Sequence, residues 1–256
     1  MTGLIRLISI AASIWLVWQI FNRWIWPLWL MARGEFELVV DLFKDRAAHA
    51  EDQETKNDAY YNIANCYFRQ GKYPSSVSWL DKIDTHKLTE ELCGKYYSLF
   101  ANNLIMTRND LELAGRYLEK ARPTMDPDNY SIYKCHLELL LNNRQIAEQL
   151  FPLMARKKKK FFINMNSLHP DTPFNNLMKN YVSGMYHRAY GDPKLAEKYL
   201  KKATIFPYRN GISEHARELL GVKMKTEETL VKSKSSEDIP VKIVKYFSGK
   251  RGKKEI

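Results

Sequence analysis

Two apolar stripes with helical spacing, separated by a glycine, most strongly constrain the fold of this chain. Four residues recur at i, i+3, i+4 and i+7, which is one face of a helix: Tyr60, Ile63, Ala64 and Tyr67. The second stripe consists of Val77, Leu80 and Ile83. Gly71 lies between them and can adopt the turn conformation that ends a helix. Two such helices packed antiparallel leave one apolar face uncovered, so we expect neighbouring copies to cover it.

The window 57–90 resembles a tetratricopeptide repeat (TPR), a helix–turn–helix unit of about 34 residues. Gly71 and Tyr73 match the turn of that repeat, and the two stripes match its packing positions. Ser76 replaces the usual small Ala, and Leu88 stands where Pro is common. The resemblance implies an array of stacked helix pairs.

Less regular copies follow the first one along the chain. They begin near Lys95 and Asn129, and the last of them covers 177–210. A half-copy starts at Gly34, and the preceding segment would supply its first helix. We therefore predict an all-α fold in which a TPR-like α-solenoid spans residues 34–222 and ends in a capping helix.

Two segments lie outside the repeat pattern. Residues 161–176 contain Pro170 and Pro173 and are typical of an insertion between repeats. Residues 223–256 are rich in Lys, Ser and Glu and have little apolar periodicity. This composition predicts a flexible basic tail.

Residues 1–33 predict a membrane-anchor helix. The stretch Leu7–Phe21 is apolar apart from serines and Gln19. A helix of about 17 residues spans about 25 Å, slightly less than a hydrocarbon core of about 30 Å. Extension through Met31 would close that gap. The tryptophans expected at the membrane interface, as an aromatic belt, are Trp24, Trp26 and Trp29.

Two alternatives to a spanning anchor fit the same segment less well. A cleavable signal peptide needs small residues at its cleavage site, but bulky Trp and Phe follow the apolar run. A helix lying in the interface needs a charged face, and this stretch has almost none. Basic residues are more frequent after the segment than before it, which favours a single-pass protein of the cell membrane with a cytoplasmic repeat domain. An extracytoplasmic array remains the open alternative.

The cysteines agree with a reducing compartment. Cys66, Cys93 and Cys135 are odd in number and widely spaced. A disulfide framework favours an even set in a small secreted chain, so we expect reduced thiols packed in helices.

Stacked helix pairs build a concave groove that receives peptides or helices. The resemblance implies that residues of the first helices face this groove: Tyr61, Asn62, Asn65, Phe68, Arg69, Leu99, Phe100, Asn103, Met106, Tyr133 and Arg188. Asn65 and Asn103 are predicted to be equivalent, and an amide can hold a peptide backbone because it both donates and accepts hydrogen bonds. The basic residues with which some members bind a terminal carboxylate are not found. The alternative is that these side chains only solvate or cap the array.

The chain has a net charge of +11, and one basic run contributes to it. Its residues are Arg156, Lys157, Lys158, Lys159 and Lys160. They close a predicted helix, where cations complement the carbonyl end, and Phe161 and Phe162 follow them. Besides a solvated helix end, the run suits anionic lipid. Nucleic acid is the least favoured partner, because no recognised motif accompanies the run.

Catalysis has little support in the sequence. The six histidines are scattered without metal-ligand spacing, and no nucleophile, phosphate-loop or dinucleotide motif occurs. We predict no enzyme, no catalytic residue, no metal and no cofactor. The leading hypothesis is a membrane-anchored TPR scaffold or adaptor that binds a protein or peptide in its groove. The alternative is a membrane-tethered binder of anionic lipid or nucleic acid that uses residues 156–160 and the tail.

Overall fold

The computed structural model describes residues 12–13, 15–18, 21, 25–155, 171–206, 208 and 210–222. Trp24, the basic run 156–160, residues 161–170 and the tail 223–256 lie outside the described residues, as does much of the predicted anchor. The described part contains α-helices and short 3-10 turns but no strands, which confirms the all-α prediction.

Eleven α-helices follow one another between Trp26 and Leu219 in the described part of the chain. They are α1 (Trp26–Arg33), α2 (Phe36–Ala48), α3 (Gln53–Arg69), α4 (Tyr73–Leu80), α5 (Glu90–Thr107), α6 (Leu111–Ala121), α7 (Pro127–Leu140), α8 (Arg144–Ala155), α9 (Asp171–Tyr190), α10 (Pro193–Thr204) and α11 (Gly211–Leu219). Consecutive helices pack as hairpins from α1–α2 to α9–α10, and α11 follows the last hairpin. This arrangement is consistent with a solenoid.

Polar caps and glycine turns define most of the helix ends. Side-chain oxygens that accept a backbone N–H of the first turn precede six α-helices: Asp52, Thr89, Asp110, Asp126, Asp192 and Asn210. Each such cap stabilises a helix by about 1 kcal/mol. Gly34 and Gly71 follow α1 and α3 with φ of 78°, a left-handed conformation that favours glycine.

The hairpins pack through small residues that face large ones. The second helices bury a small side chain at equivalent positions: Ser76, Ala114, Ala147 and Ala196. Gly184 of α9 shows how close the approach is, because a Cβ there would lie 2.6 Å from Leu200 Cγ of α10. The sequence pattern therefore specifies which faces meet within a hairpin.

The first helix belongs to the core of the array. Residues 26–33 lie within the predicted anchor, yet Leu30 and Met31 are buried in one apolar cluster with Phe36 of α2. On the other face of α1, Trp26 and Trp29 are 36% and 44% exposed. In the described part of the chain, no helix is both long and apolar enough to cross a membrane.

The last helix returns to the first repeats. Gly211, at the start of α11, contacts the backbone of Gly71 in the α3–α4 turn. Tyr208 covers Gly34 in the α1–α2 turn and lies edge-on to Phe36, with 5.0 Å between the ring centroids. These contacts close the array on itself.

Candidate functional site: a cavity between the first helices

A cavity of about 190 Å³ lies between the first helices of successive repeats. It is lined from α3, α5, α7 and the start of α9, together with the turn before α7. Four of its polar side chains are amides, from Asn65, Asn102, Asn129 and Asn175. Its aromatic walls are Tyr61, Phe68, Tyr133 and Phe174. Such a lining offers both donors and acceptors beside flat apolar surfaces.

Asn102 is the unusual member of this lining. Its side chain is only 4% exposed, and its Oδ1 atom has no hydrogen-bond partner among the described residues. A buried acceptor without a partner costs about 1–3 kcal/mol. A ligand that donates an N–H or O–H to this oxygen would remove that cost.

Arg69 and Phe174 form the wall where the first and last repeats meet. Arg69 is 3% exposed, and its Nε atom donates to Asn65 Oδ1 at 3.4 Å. Its guanidinium carbon lies 4.8 Å from the centroid of the Phe174 ring. Phe68 packs edge-on against the same ring at 6.1 Å. The cationic group is thus held in place by an amide and an aromatic face.

The opposite wall depends on a glycine in α5. A Cβ at Gly94 would lie 1.6 Å from Thr124 Oγ1, so only glycine lets α5 approach the turn before α7 this closely. Lys95 stands beside it at the cavity and forms an ion pair with Glu91 at 2.5 Å, which lowers the pKa of that carboxyl group.

Six of the eleven residues predicted to face the groove line the cavity: Tyr61, Asn65, Phe68, Arg69, Leu99 and Tyr133. The structure brings them together from three helices. Whether a partner contacts them stays a prediction.

The prediction that Asn103 faces the groove is wrong. Asn103 is fully buried, and its Nδ2 atom donates to Ser76 Oγ at 3.0 Å and to the Leu99 carbonyl at 2.8 Å. One residue along a helix is a rotation of about 100°, so Asn103 faces α4 while Asn102 lines the cavity. The residue equivalent to Asn65 is therefore Asn102.

Four other predicted residues also lie outside the cavity lining. Asn62 donates to the Asp58 carbonyl at 2.8 Å, and Phe100 packs edge-on against Tyr117 of α6 at 5.2 Å. Met106 packs against the main core. Arg188 donates to the Leu219 carbonyl at 2.6 Å and so helps to hold α11.

Sequence reasoning missed the rest of the lining. It comprises Gly94, Lys95, Ser98, Asn102, Thr124, Met125, Asp126, Asn129, Phe174 and Asn175. The α5 members recur at helical spacing and could have been found by rotating that helix by one residue. The residues from the turn and from α9 carry no local signal, because only the packing of distant elements brings them to the cavity.

Burial shifts the pKa values of three side chains in the array. Burial raises the pKa of the Cys66 and Cys135 thiols to about 12, so both stay protonated and unreactive at neutral pH. Burial lowers the pKa of His136 to about 3. No group of three His, Cys, Asp or Glu side chains among the described residues could hold a metal ion.

A chain of rings links α7, α9 and α11. His136 lies edge-on to Tyr181, with 5.4 Å between centroids, and Tyr181 Oη lies 2.7 Å from His215 Nδ1. Burial lowers the pKa of His215 as well. These contacts join the capping helix to the repeats before it.

Comparison with known proteins gives one family match. The sequence model of the family described as the SusR N-terminal TPR domain matches residues 39–217. No curated protein and no solved structure is significantly similar to the chain.

Proposed function

The chain belongs to the family of the SusR N-terminal TPR domain, and on that basis we propose that it is a protein-interaction scaffold whose partner binds in the cavity. TPR domains in general bind other proteins. The observation that supports this site is the cavity itself, with its amides and the Asn102 oxygen that has no hydrogen-bond partner within the described part of the chain.

The size of the cavity restricts the form of the partner. A volume of about 190 Å³ holds only a few side chains, whereas a helix with its side chains is about 10 Å across. We therefore propose that the partner inserts a short extended segment of chain. Its backbone N–H groups would donate to the asparagine side chains, and its apolar side chains would pack on the aromatic walls.

Affinity capture with cavity variants tests this proposal. The full-length protein would be captured from gently solubilised membranes after crosslinking, with and without a high-salt wash. The double substitution Asn65→Ala with Asn102→Ala should reduce recovery of a discrete protein partner at least tenfold, because it removes two amides of the lining. Asn109→Ala is the matched control, since Asn109 is exposed and lies outside the lining. Equal recovery by the double variant and the control would place the binding site elsewhere.

The proposal includes anchoring of the array to the cell membrane by the residues before α1, with the array in the cytoplasm. The exposed side of α1 supports it, since the Trp26 and Trp29 rings stack at 4.9 Å and Arg33 lies over Trp29 at 4.5 Å. Trp and Arg side chains favour the head-group region. Full-length protein should resist extraction of membranes at alkaline pH, and deletion of residues 1–24 should release it. Release of the full-length protein would contradict the anchor.

Protease accessibility tests the cytoplasmic location. The array should be protected in intact cells and cleaved once the membrane is permeabilised. Cleavage in intact cells would support the extracytoplasmic alternative.

We also propose that the chain has no enzymatic role, in keeping with its lack of catalytic motifs. The alternative function, binding of anionic lipid or nucleic acid through Arg156–Lys160 and the tail, depends on residues outside the described part. Recovery of lipid or nucleic acid alone, lost in high salt, would favour that alternative, because contacts to phosphates weaken steeply with salt.

A further inference from the structure

We propose that the array is a clamp that opens between its first and last repeats and that this opening controls access to the cavity. The boundary, here called the seam, joins two sets of residues: Gly34, Phe68 and Gly71 on the first repeats, and Tyr208, Gly211 and Phe174 on the last ones. This proposal rests on the proposed function, because it describes how the partner would enter the cavity.

The backbone contacts across the seam involve glycines. Gly71 and Gly211 meet backbone to backbone, since a Cβ on Gly211 would lie 2.6 Å from the Gly71 Cα. Tyr208 approaches Gly34 equally closely, since a Cβ on Gly34 would lie 2.5 Å from the Tyr208 Cβ. Close contact between glycines buries little apolar surface, so the hydrophobic stabilisation of the seam depends on a few ring contacts, such as Phe68 with Phe174 and Phe36 with Tyr208.

A buried polar group weakens the seam. Tyr73 Oη lies against Gly211, at 2.6 Å from the position of a Cβ there, and has no hydrogen-bond partner among the described residues. Separation at the seam would expose the Tyr73 hydroxyl group to water, which could then form the hydrogen bond that the buried group lacks among the described residues. The buried hydroxyl therefore favours the open state.

The capping helix is held more firmly by the last repeats. Arg217 of α11 donates to the Thr204 carbonyl at 3.1 Å, and Arg188 of α9 donates to the Leu219 carbonyl at 2.6 Å. The hydrogen bond between Tyr181 and His215 adds a third link. We therefore expect α11 to move together with α9 and α10, so that the structure separates at the seam.

Separation at the seam would open the cavity because the two share a wall. The cavity is lined by Phe68 and Arg69 on one side of the seam and by Phe174 on the other. The Phe68 ring and the Arg69 guanidinium group both contact the Phe174 ring across the seam. In the closed state the volume suits only a few side chains. Opening would admit a longer segment, and closure would hold it between Phe68 and Phe174.

Cysteine labelling tests the seam without any partner. Ser98 lines the cavity, so a cysteine at this position can report whether a bulky fluorescent maleimide enters the cavity. The full-length chain would carry Ser98→Cys together with Cys93→Ser. Adding Gly211→Ala places a methyl group against the Gly71 backbone and should raise the labelling rate at residue 98 at least tenfold. The matched control is Gly115→Ala, where the new Cβ would make an ordinary contact of 3.5 Å with Leu137.

The outcomes separate the seam from simple unfolding. Peptide mapping would follow buried Cys66, which should stay unlabelled in all variants if the array remains folded. The proposal is overturned if Gly211→Ala does not raise the labelling rate at residue 98, or if Gly115→Ala raises that rate equally. If Gly211→Ala unfolds the array, Tyr208→Ala decides, because it removes a seam contact without a clash: faster labelling supports the seam and an unchanged rate refutes it. A failed partner capture would leave these rates unaffected, so the two proposals fail independently.

Discussion

We predict that buried His136 makes the stability of the array depend on pH. The side chain is 2% exposed, and burial, with smaller effects from the charges of His215 and Arg108, lowers its pKa to about 3. In the unfolded chain its pKa is about 6.5, so between pH 6.5 and pH 3 the unfolded state binds the additional proton. The stability present above pH 6.5 is therefore lost as the pH falls towards 3. One pKa unit corresponds to about 1.4 kcal/mol, which gives a loss of about 2–3 kcal/mol at pH 4.5.

Replacing His136 by Phe should remove this part of the pH dependence. Phe keeps an aromatic ring against Tyr181 and also removes the Nδ1 atom of His136, which has no hydrogen-bond partner among the described residues. Urea denaturation at pH 7 and pH 4.5 would give the free energy of unfolding of each protein. We expect the wild type to lose about 2–3 kcal/mol more than His136→Phe over this interval, equivalent to roughly 5–10 °C in melting temperature. Equal losses in the two proteins would show that His136 is not buried in its neutral form.

Other substitutions test the packing of the repeats. Asn103→Ala should lower the free energy of unfolding by about 1–3 kcal/mol, because it leaves buried Ser76 without this partner, and should not affect partner capture. A loss of capture at unchanged stability would contradict the position of Asn103. Gly184→Ala should cost about 1–3 kcal/mol, since its Cβ would clash with Leu200, whereas Gly115→Ala should be neutral or stabilise the helix by up to about 1 kcal/mol. Thermal denaturation would check both, and equal melting temperatures would refute the described packing of α9 on α10.

The fold of the repeats was predictable because their pattern is local. Helical spacing at Tyr60, Ile63 and Tyr67, followed by Gly71, predicts one hairpin. The small residue Ser76 in the second helix predicts how the two helices pack. The all-α class and the TPR resemblance follow from these features. Closure of the array was not predictable, since the contact between Gly71 and Gly211 joins residues that are far apart in sequence.

The candidate site was predictable only in part. On α3 four of the five predicted residues, Tyr61, Asn65, Phe68 and Arg69, line the cavity, and Asn62 does not. On α5 the alignment was displaced by one residue. Such an error rotates the chosen face by about 100° and exchanges a cavity residue, Asn102, for a core residue.

Site-specific photo-crosslinking in cells tests the central claim most directly. A photoreactive amino acid would replace Ser98 in the cavity or Arg116, which is exposed on α6 outside the lining. If the cavity is the partner site, irradiation should link a discrete protein to position 98 and not to position 116. A protein adduct at position 116 with none at position 98 would contradict the account and place the interaction on the outer surface of the array.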